Sequence, residues 1–306
     1  MSKLRVTGTS LATLTLAICL PVMAGAEDDR APAPEEPQYP IAVAVSGDDV
    51  YSVDLDGSGV WKSSVGGDRS WFYAGSRFLR QEMNRPRPIV AHPDGGVIVG
   101  DSASREIYHI AADGSSARPL NDGFLGIPMA LAVSPDKTQL YIGDAERRAT
   151  FRIPINGVEK DEDGKFAVPE LVARVNARGL DFADDATLYA ATPDADAVVR
   201  IDVTTGETTP EGGGTEATVT PVVTDRPFQY VGGMVWTGDH GYVSDVYAKT
   251  IWKFDADGNV EPFFEGDPLK GPVLMDHDDE HLYVAEPKNK TVYRIHRETK
   301  AIEPAL

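Results

Sequence analysis

Apolar residues in this chain come in short alternating runs that end on a small or acidic residue, and the same run recurs six times. The repeated text reads VYSVDLDGSGVW, VIVGDSASREIY, LYIGDAERRATF, LYAATPDADAVV, GYVSDVYAKTIW and LYVAEPKNKTVY. Its anchors are Asp54, Asp101, Asp144, Thr192, Asp245 and Glu286, followed six positions later by Val60, Ile107, Thr150, Val198, Ile251 and Val292. Successive anchors lie 47, 43, 48, 53 and 41 residues apart. Alternation with a period of two predicts strands, and this spacing is that of a four-stranded propeller blade rather than of a helical or leucine-rich repeat.

Each unit predicts four strands. In the second they fall at Pro88 to Ala91, Val97 to Gly100, Ile107 to Ile110 and Ala117 to Leu120. Pro93-Asp94-Gly95-Gly96 and Asp113-Gly114 turn the chain between them, using residue types that preset φ or supply φ > 0. Fourth strands are expected at Trp71 to Ala74, Glu170 to Ala173, Val219 to Val223, Glu261 to Glu265 and Ile302 to Ala305. One blade cannot bury both of its faces alone, so the prediction is an all-β, six-bladed β-propeller over residues 39–306, with four antiparallel strands per blade. Two long insertions, Asn156 to Phe166 and Thr204 to Thr218, join third to fourth strands and belong to the face opposite the usual ligand-binding mouth.

Composition adds a leader and a charge. Lys3 and Arg5, an apolar stretch from Leu11 to Val22, and Ala24-Gly25-Ala26 predict a signal peptide over residues 1–26, cleaved after Ala26. The protein is therefore expected to be exported, periplasmic or extracellular, with no membrane insertion. Cys19, the one cysteine, lies in that leader; bulky Ile18 before it argues against a lipoprotein box. Residues 27–38 are Pro-rich and acidic and are read as an extended linker. Removing Lys3 and Arg5 from the 29 basic residues leaves 27 against 48 acidic ones, a charge of −21. Such a surface repels phosphate backbones, which excludes nucleic acid as a general partner, and it favours a soluble monomer.

The pattern of Pro, apolar pair, Pro-Asp-Gly turn, apolar-x-apolar-small-Asp and polar loop, carried best by Pro86-Arg87-Pro88-Ile89-Val90-Ala91-His92-Pro93-Asp94-Gly95, resembles the NHL repeat. It is also similar to the gluconolactonase-type lactonases of the six-bladed calcium-dependent phosphotriesterase superfamily. That resemblance implies one divalent cation at the channel mouth, held by a Glu, an Asn and an Asp, polarising a lactone carbonyl and activating water. The matching positions here read Gln38-Tyr39-Pro40, Pro128-Met129-Ala130 and Ala177-Arg178-Gly179, with Glu36 a few residues too early. A thioether and a guanidinium are poor partners for calcium, so no cofactor is expected; calcium or another divalent cation belongs to the alternative reading.

The repeated carboxylates Asp54, Asp101, Asp144, Asp245 and Glu286 are read as loop-fixing groups that accept backbone N–H bonds rather than as a cation ring. Arg105, Arg148, Lys249 and Lys290 stand four positions after the anchors, and Arg77, Arg80, Arg85 and Arg87 crowd the connection between the first two blades. Positive charge thus gathers on one face of an acidic protein. The ligand-binding candidates are Arg87, Met129, Arg178, Arg85, Tyr39 and Gly232, with no catalytic residue among them. The histidines show no metal-ligand spacing, and His277 with Asp276, Asp278 and Asp279 reads as a solvated turn. The expectation is an exported binding module, without chemistry of its own, that takes a small anionic molecule or a protein segment at the mouth. The alternative is a divergent metal-dependent lactonase or esterase.

Overall fold

The computed structural model describes residues 29–64, 67–160, 162–206 and 215–306; the leader expected over residues 1–26 lies outside them, as does part of the insertion from Thr204 to Thr218. Six four-stranded antiparallel sheets follow one another at residues 40–74, 86–119, 128–173, 179–223, 231–265 and 275–304. In every sheet the strands pair in chain order. The expected fourth strands are present, at Arg69–Ala74, Ala117–Pro119, Glu170–Ala173, Thr218–Val223, Val260–Glu265 and Ile302–Pro304. A single 3₁₀ turn, Pro287–Asn289, is the helical content among the described residues, and no helix there is long and apolar enough to cross a membrane.

The core lies between blades, not within them. Successive strand residues point to opposite faces of a sheet, so Val97 and Val99 pack towards blade 1 while Ile98 packs towards blade 3. The same division holds around the ring. Tyr141 and Leu188 share the cluster between blades 3 and 4, Tyr189 and Val243 that between 4 and 5, and Tyr242 and Leu282 that between 5 and 6. Closure is made by Ala305, buried with Val43, Val50, Tyr283 and Val292 between the last blade and the first. The hydroxyl of Ser63 donates to the Ala305 carbonyl across this seam at 2.8 Å.

The anchor residues show why the text repeats. Asp54, Asp101, Asp144, Asp245 and Glu286 are fully buried at the ends of second strands. Asp54 accepts the backbone N–H groups of Gln38 at 2.6 Å and Tyr39 at 2.9 Å from the incoming connection, that of Gly57 at 2.9 Å from its own loop, and the Trp61 indole at 3.1 Å. Asp101 takes Arg85, Ala103 and Ser104; Asp144 takes Gly126, Ile127 and Arg147; Asp245 takes Gln229, Tyr230 and Ala248; Glu286 takes Lys270, Gly271 and Lys288. Each carboxylate thus staples the entry to a blade onto the loop between its second and third strands. Thr192 keeps part of this arrangement, accepting from Asp194 and donating to the Asp196 carbonyl.

Five of the six residues four after the anchors occupy the left-handed region: Ser58, Arg105, Arg148, Lys249 and Lys290 have φ of 54°, 67°, 52°, 56° and 56°. Three of these side chains reach sideways round the rim. Arg105 pairs with Glu146 of the next blade at 3.3 Å, Arg148 with Asp194 at 3.0 Å, and Lys290 with Glu36 at 3.0 Å. These exposed pairs contribute little stability each, but they occupy Arg105, Arg148 and Lys290.

The segment before blade 1 is docked rather than freely extended. Ala31 is buried and donates to the Gly75 carbonyl, Arg77 donates to the Asp29 carbonyl, and Arg30 pairs with Glu82.

Candidate functional site at the channel mouth

The inner strands of the blades, Pro40–Ser46, Pro86–Ala91, Pro128–Val133, Gly179–Phe182, Val231–Thr237 and Met275–His277, surround an axial cavity of about 250 Å³. Its upper wall begins at Pro88, Ala130 and Gly179, each the residue directly after Arg87, Met129 and Arg178. Three of the candidates from three successive blades therefore converge at the head of the cavity.

Arg87 is half-buried and its Nε donates to the Ser102 hydroxyl at 2.9 Å. Burial, then the neighbouring guanidinium groups of Arg85 and Arg178, push its pKa below the ordinary arginine range. Arg178 is fixed through its backbone, whose N–H donates to the Ala191 carbonyl at 2.8 Å, while its Nε is buried without a hydrogen-bond partner among the described residues. A buried donor left unpaired is costly, so the mouth at Arg178 is short of an acceptor. Arg178 itself lines a recess of about 180 Å³ with Thr192, Asp194, Arg226, Phe228 and Tyr230, while its neighbour Gly179 lines the axial cavity.

Arg85 is exposed above Arg87, its own N–H spent on Asp101. Tyr39 is exposed on the mouth face, above the Asp54 staple. Gly232 has a different role from the one expected. A Cβ there would lie 2.7 Å from the Ser244 hydroxyl and 2.8 Å from the Pro272 carbonyl, so the glycine lets blade 5 close on blade 6.

Four functional candidates escaped the sequence reading. Tyr230 is exposed at the mouth, packs against Tyr247 with ring centroids 4.9 Å apart and planes tilted by 38°, and lies within electrostatic reach of Arg87. Asp181, Asp276 and His277 gather at the lower end of the cavity. Asp276 and His277 are not a solvated turn: they belong to an inner strand, and only Asp278 and Asp279 turn the chain. Asp276 accepts the backbone N–H of Val45 at 2.7 Å across the closure seam, and Asp181 accepts that of Trp236 at 2.7 Å from blade 5. His277 Nε2 lies 3.7 Å from Asp181 Oδ2.

Burial pushes the Asp276 carboxyl up to about 6 against the pull of His277. Burial opposes a charge on His277, but the pairing with Asp181 and the Asp276 charge outweigh it and raise the imidazole to about 9. A signal for these acids exists in the repeat. The inner-strand positions paired with Tyr51, Ile98, Tyr141, Tyr189, Tyr242 and Tyr283 are Ala44, Val90, Ala132, Asp181, Val235 and Asp276, so two blades carry an acid where four carry a small apolar residue.

The residues at the mouth do not fit a divalent cation. Where oxygen ligands are needed the chain supplies the Met129 thioether and the Arg178 guanidinium, with Arg87 alongside. Glu36 is drawn to the rim by Lys290, whose hydrogen bond and charge hold its carboxyl below the usual range. On the opposite face Glu280, His281 and His296 place one potential ligand atom each within 4.8 Å of one another, a grouping created by strand pairing rather than spacing. There His296 Nδ1 accepts the N–H groups of Glu298 and Thr299, which leaves its proton on Nε2 and no free lone pair for a metal.

No family model and no curated protein sequence matches the chain. Solved structures match its architecture. A gluconolactonase from Xanthomonas campestris superposes with a TM-score of 0.65 at 15% identity, over 88% of this chain and 87% of that one. A virginiamycin B lyase from Staphylococcus aureus gives 0.58 at 14%, over 88% and 85%, and a nidogen/laminin complex gives 0.59 at 13%, over 83% and 88%. The chain is a six-bladed propeller of the architecture seen in gluconolactonase-like proteins. Its neighbours span a gluconolactonase, a lyase and a protein complex, and at such identities the likeness speaks for the fold alone.

Proposed function

We propose that this propeller is an exported binding module that captures a small carboxylate at the head of its axial cavity. The observation that carries the reading is the buried, unpartnered Nε of Arg178, set beside an Arg87 already crowded by two other guanidinium groups. A carboxylate placed between them supplies acceptors for both and relieves their mutual repulsion. The cavity below, walled by residues such as Val43, Met234 and Leu274, has room for a short apolar tail. This size favours a small molecule over a protein segment.

Calorimetric titration with hexanoate tests the proposal. The wild-type protein is expected to bind it, and Arg178→Met, which keeps the length and apolar stem of the side chain, is expected to weaken binding at least tenfold, or about 1.4 kcal/mol. Equal affinity for wild type and variant would remove Arg178 from the site. The lactonase alternative rests on the shared architecture. Lactone turnover that disappears on chelation and returns with calcium would replace the binding reading by that one.

A further inference from the structure

We infer that the preferred ligand is amphoteric: an ω-amino carboxylate whose anionic end meets Arg87 and Arg178 at the mouth and whose ammonium is held by Asp181 and Asp276 at the lower end of the axial cavity beneath them. This rests on the carboxylate reading of the mouth and adds the identity of the far end.

Three observations converge on it. First, the cavity is continuous from the residues below the arginines to the two acids, and Asp181 and Asp276 are the only titratable residues that line it among those described. His277 alone adds a positive charge there, so two carboxylates face one imidazolium and the lower end favours a cation. Second, the acids are not demanded by the repeat, since Ala44, Val90, Ala132 and Val235 serve at the equivalent places in the other blades. Each carboxylate accepts two backbone N–H groups, Asp181 from Phe182 and Trp236 and Asp276 from Val45 and His277. An ionised carboxylate has about four acceptor sites, so both keep capacity for the three donors of an ammonium. Third, the mouth above the cavity holds a half-buried cation, Arg178, whose Nε is buried without an acceptor among the described residues, so the mouth is short of an acceptor while the floor of the cavity carries excess negative charge.

Dimensions select the length. Arg178 and Asp181 lie three residues apart on one chain, about 10 Å along an extended strand. The volume of 250 Å³ equals about eight water molecules of liquid, enough for a chain the size of 6-aminohexanoate. The wall between the poles is apolar, from Val43 and Leu131 to Val235 and Met275, and suits methylene groups.

The test is titration of the intact mature protein with 6-aminohexanoate, hexanoate and hexylamine. Wild type is expected to bind 6-aminohexanoate at least tenfold more tightly than hexanoate, and hexylamine most weakly. Asp181→Asn with Asp276→Asn keeps an acceptor for the Trp236 and Val45 N–H groups and is expected to abolish the preference for 6-aminohexanoate over hexanoate. Equal wild-type affinity for hexanoate and 6-aminohexanoate overturns this inference and leaves the mouth reading standing. Hexylamine binding as tightly as 6-aminohexanoate takes the arginines out of the site, and binding of none of the three overturns both readings. Should the double variant fail to fold, the three ligands on wild type decide the matter.

Discussion

Replacing Asp54 by alanine is expected to cost the ring about 3–5 kcal/mol. Asp54 is fully buried and accepts three backbone N–H groups and the Trp61 indole. Truncation leaves these donors without an acceptor in a place water does not reach, and each such group costs about 1–3 kcal/mol before the surroundings relax. The effect is not confined to one loop. Gln38 and Tyr39 lead into the inner strand of blade 1, and that strand receives Asp276 across the closure seam. Urea unfolding should show a lower midpoint with an unchanged slope. Thr192→Ala provides the comparison: its hydroxyl accepts one N–H and donates to one carbonyl, and the expected loss is only about 1 kcal/mol. Equal losses in the two variants would contradict the stapling account.

A comparable loss is expected from Gly179→Ala. A Cβ at this position would sit 2.3 Å from the Met234 backbone nitrogen and 2.9 Å from the Gly233 carbonyl carbon. The obstruction is main chain in the neighbouring inner strand, which cannot swing aside as a side chain can. Blade 4 must then move off blade 5, loosening the Asp181 bond to Trp236 and the cluster around Tyr189 and Met234. Overpacking costs about 1–3 kcal/mol where side chains can adjust, and about 3 kcal/mol is expected here. A melting temperature lowered by several degrees relative to wild type checks it; an unchanged one would mean the two strands are not in close contact.

Most of the architecture was legible because a propeller repeats its solution six times. One blade's alternation is ambiguous, but the recurrence of an acid, or of Thr192 in the fourth unit, six residues before a β-branched residue marks the second strand and its loop in every unit. The staples at Asp54 and Asp101 explain that text physically, since backbone donors converge at the same point of each blade. Arg105, Arg148, Lys249 and Lys290 were legible only as charges. Their common property is a left-handed backbone, and where the side chain finds a partner it serves a rim pair.

The mouth was read through Arg87 and Arg178, which stand where the inner strands begin. Gly232 was misjudged because a missing side chain looks the same in a sequence whether it makes room for a ligand or for a neighbouring backbone. The lower cluster was hidden for a related reason. Asp276 and His277 adjoin Asp278 and Asp279 in an acidic stretch, and the strand that holds the first two is only three residues long. Only the register, which places Asp276 opposite Tyr283 and Asp181 opposite Tyr189, reveals that both acids belong to the channel.

The central claim is that a carboxylate occupies the head of the axial cavity against Arg87 and Arg178. A crystal of the protein soaked with 6-bromohexanoate locates it directly, because bromine marks the tail by anomalous scattering. The expected map has the carboxylate within hydrogen-bond distance of Arg178 Nε and the bromine below it in the cavity, between the inner strands. A ligand bound only outside the channel, or an axial cavity without bromine at a concentration that saturates binding in solution, would contradict the account.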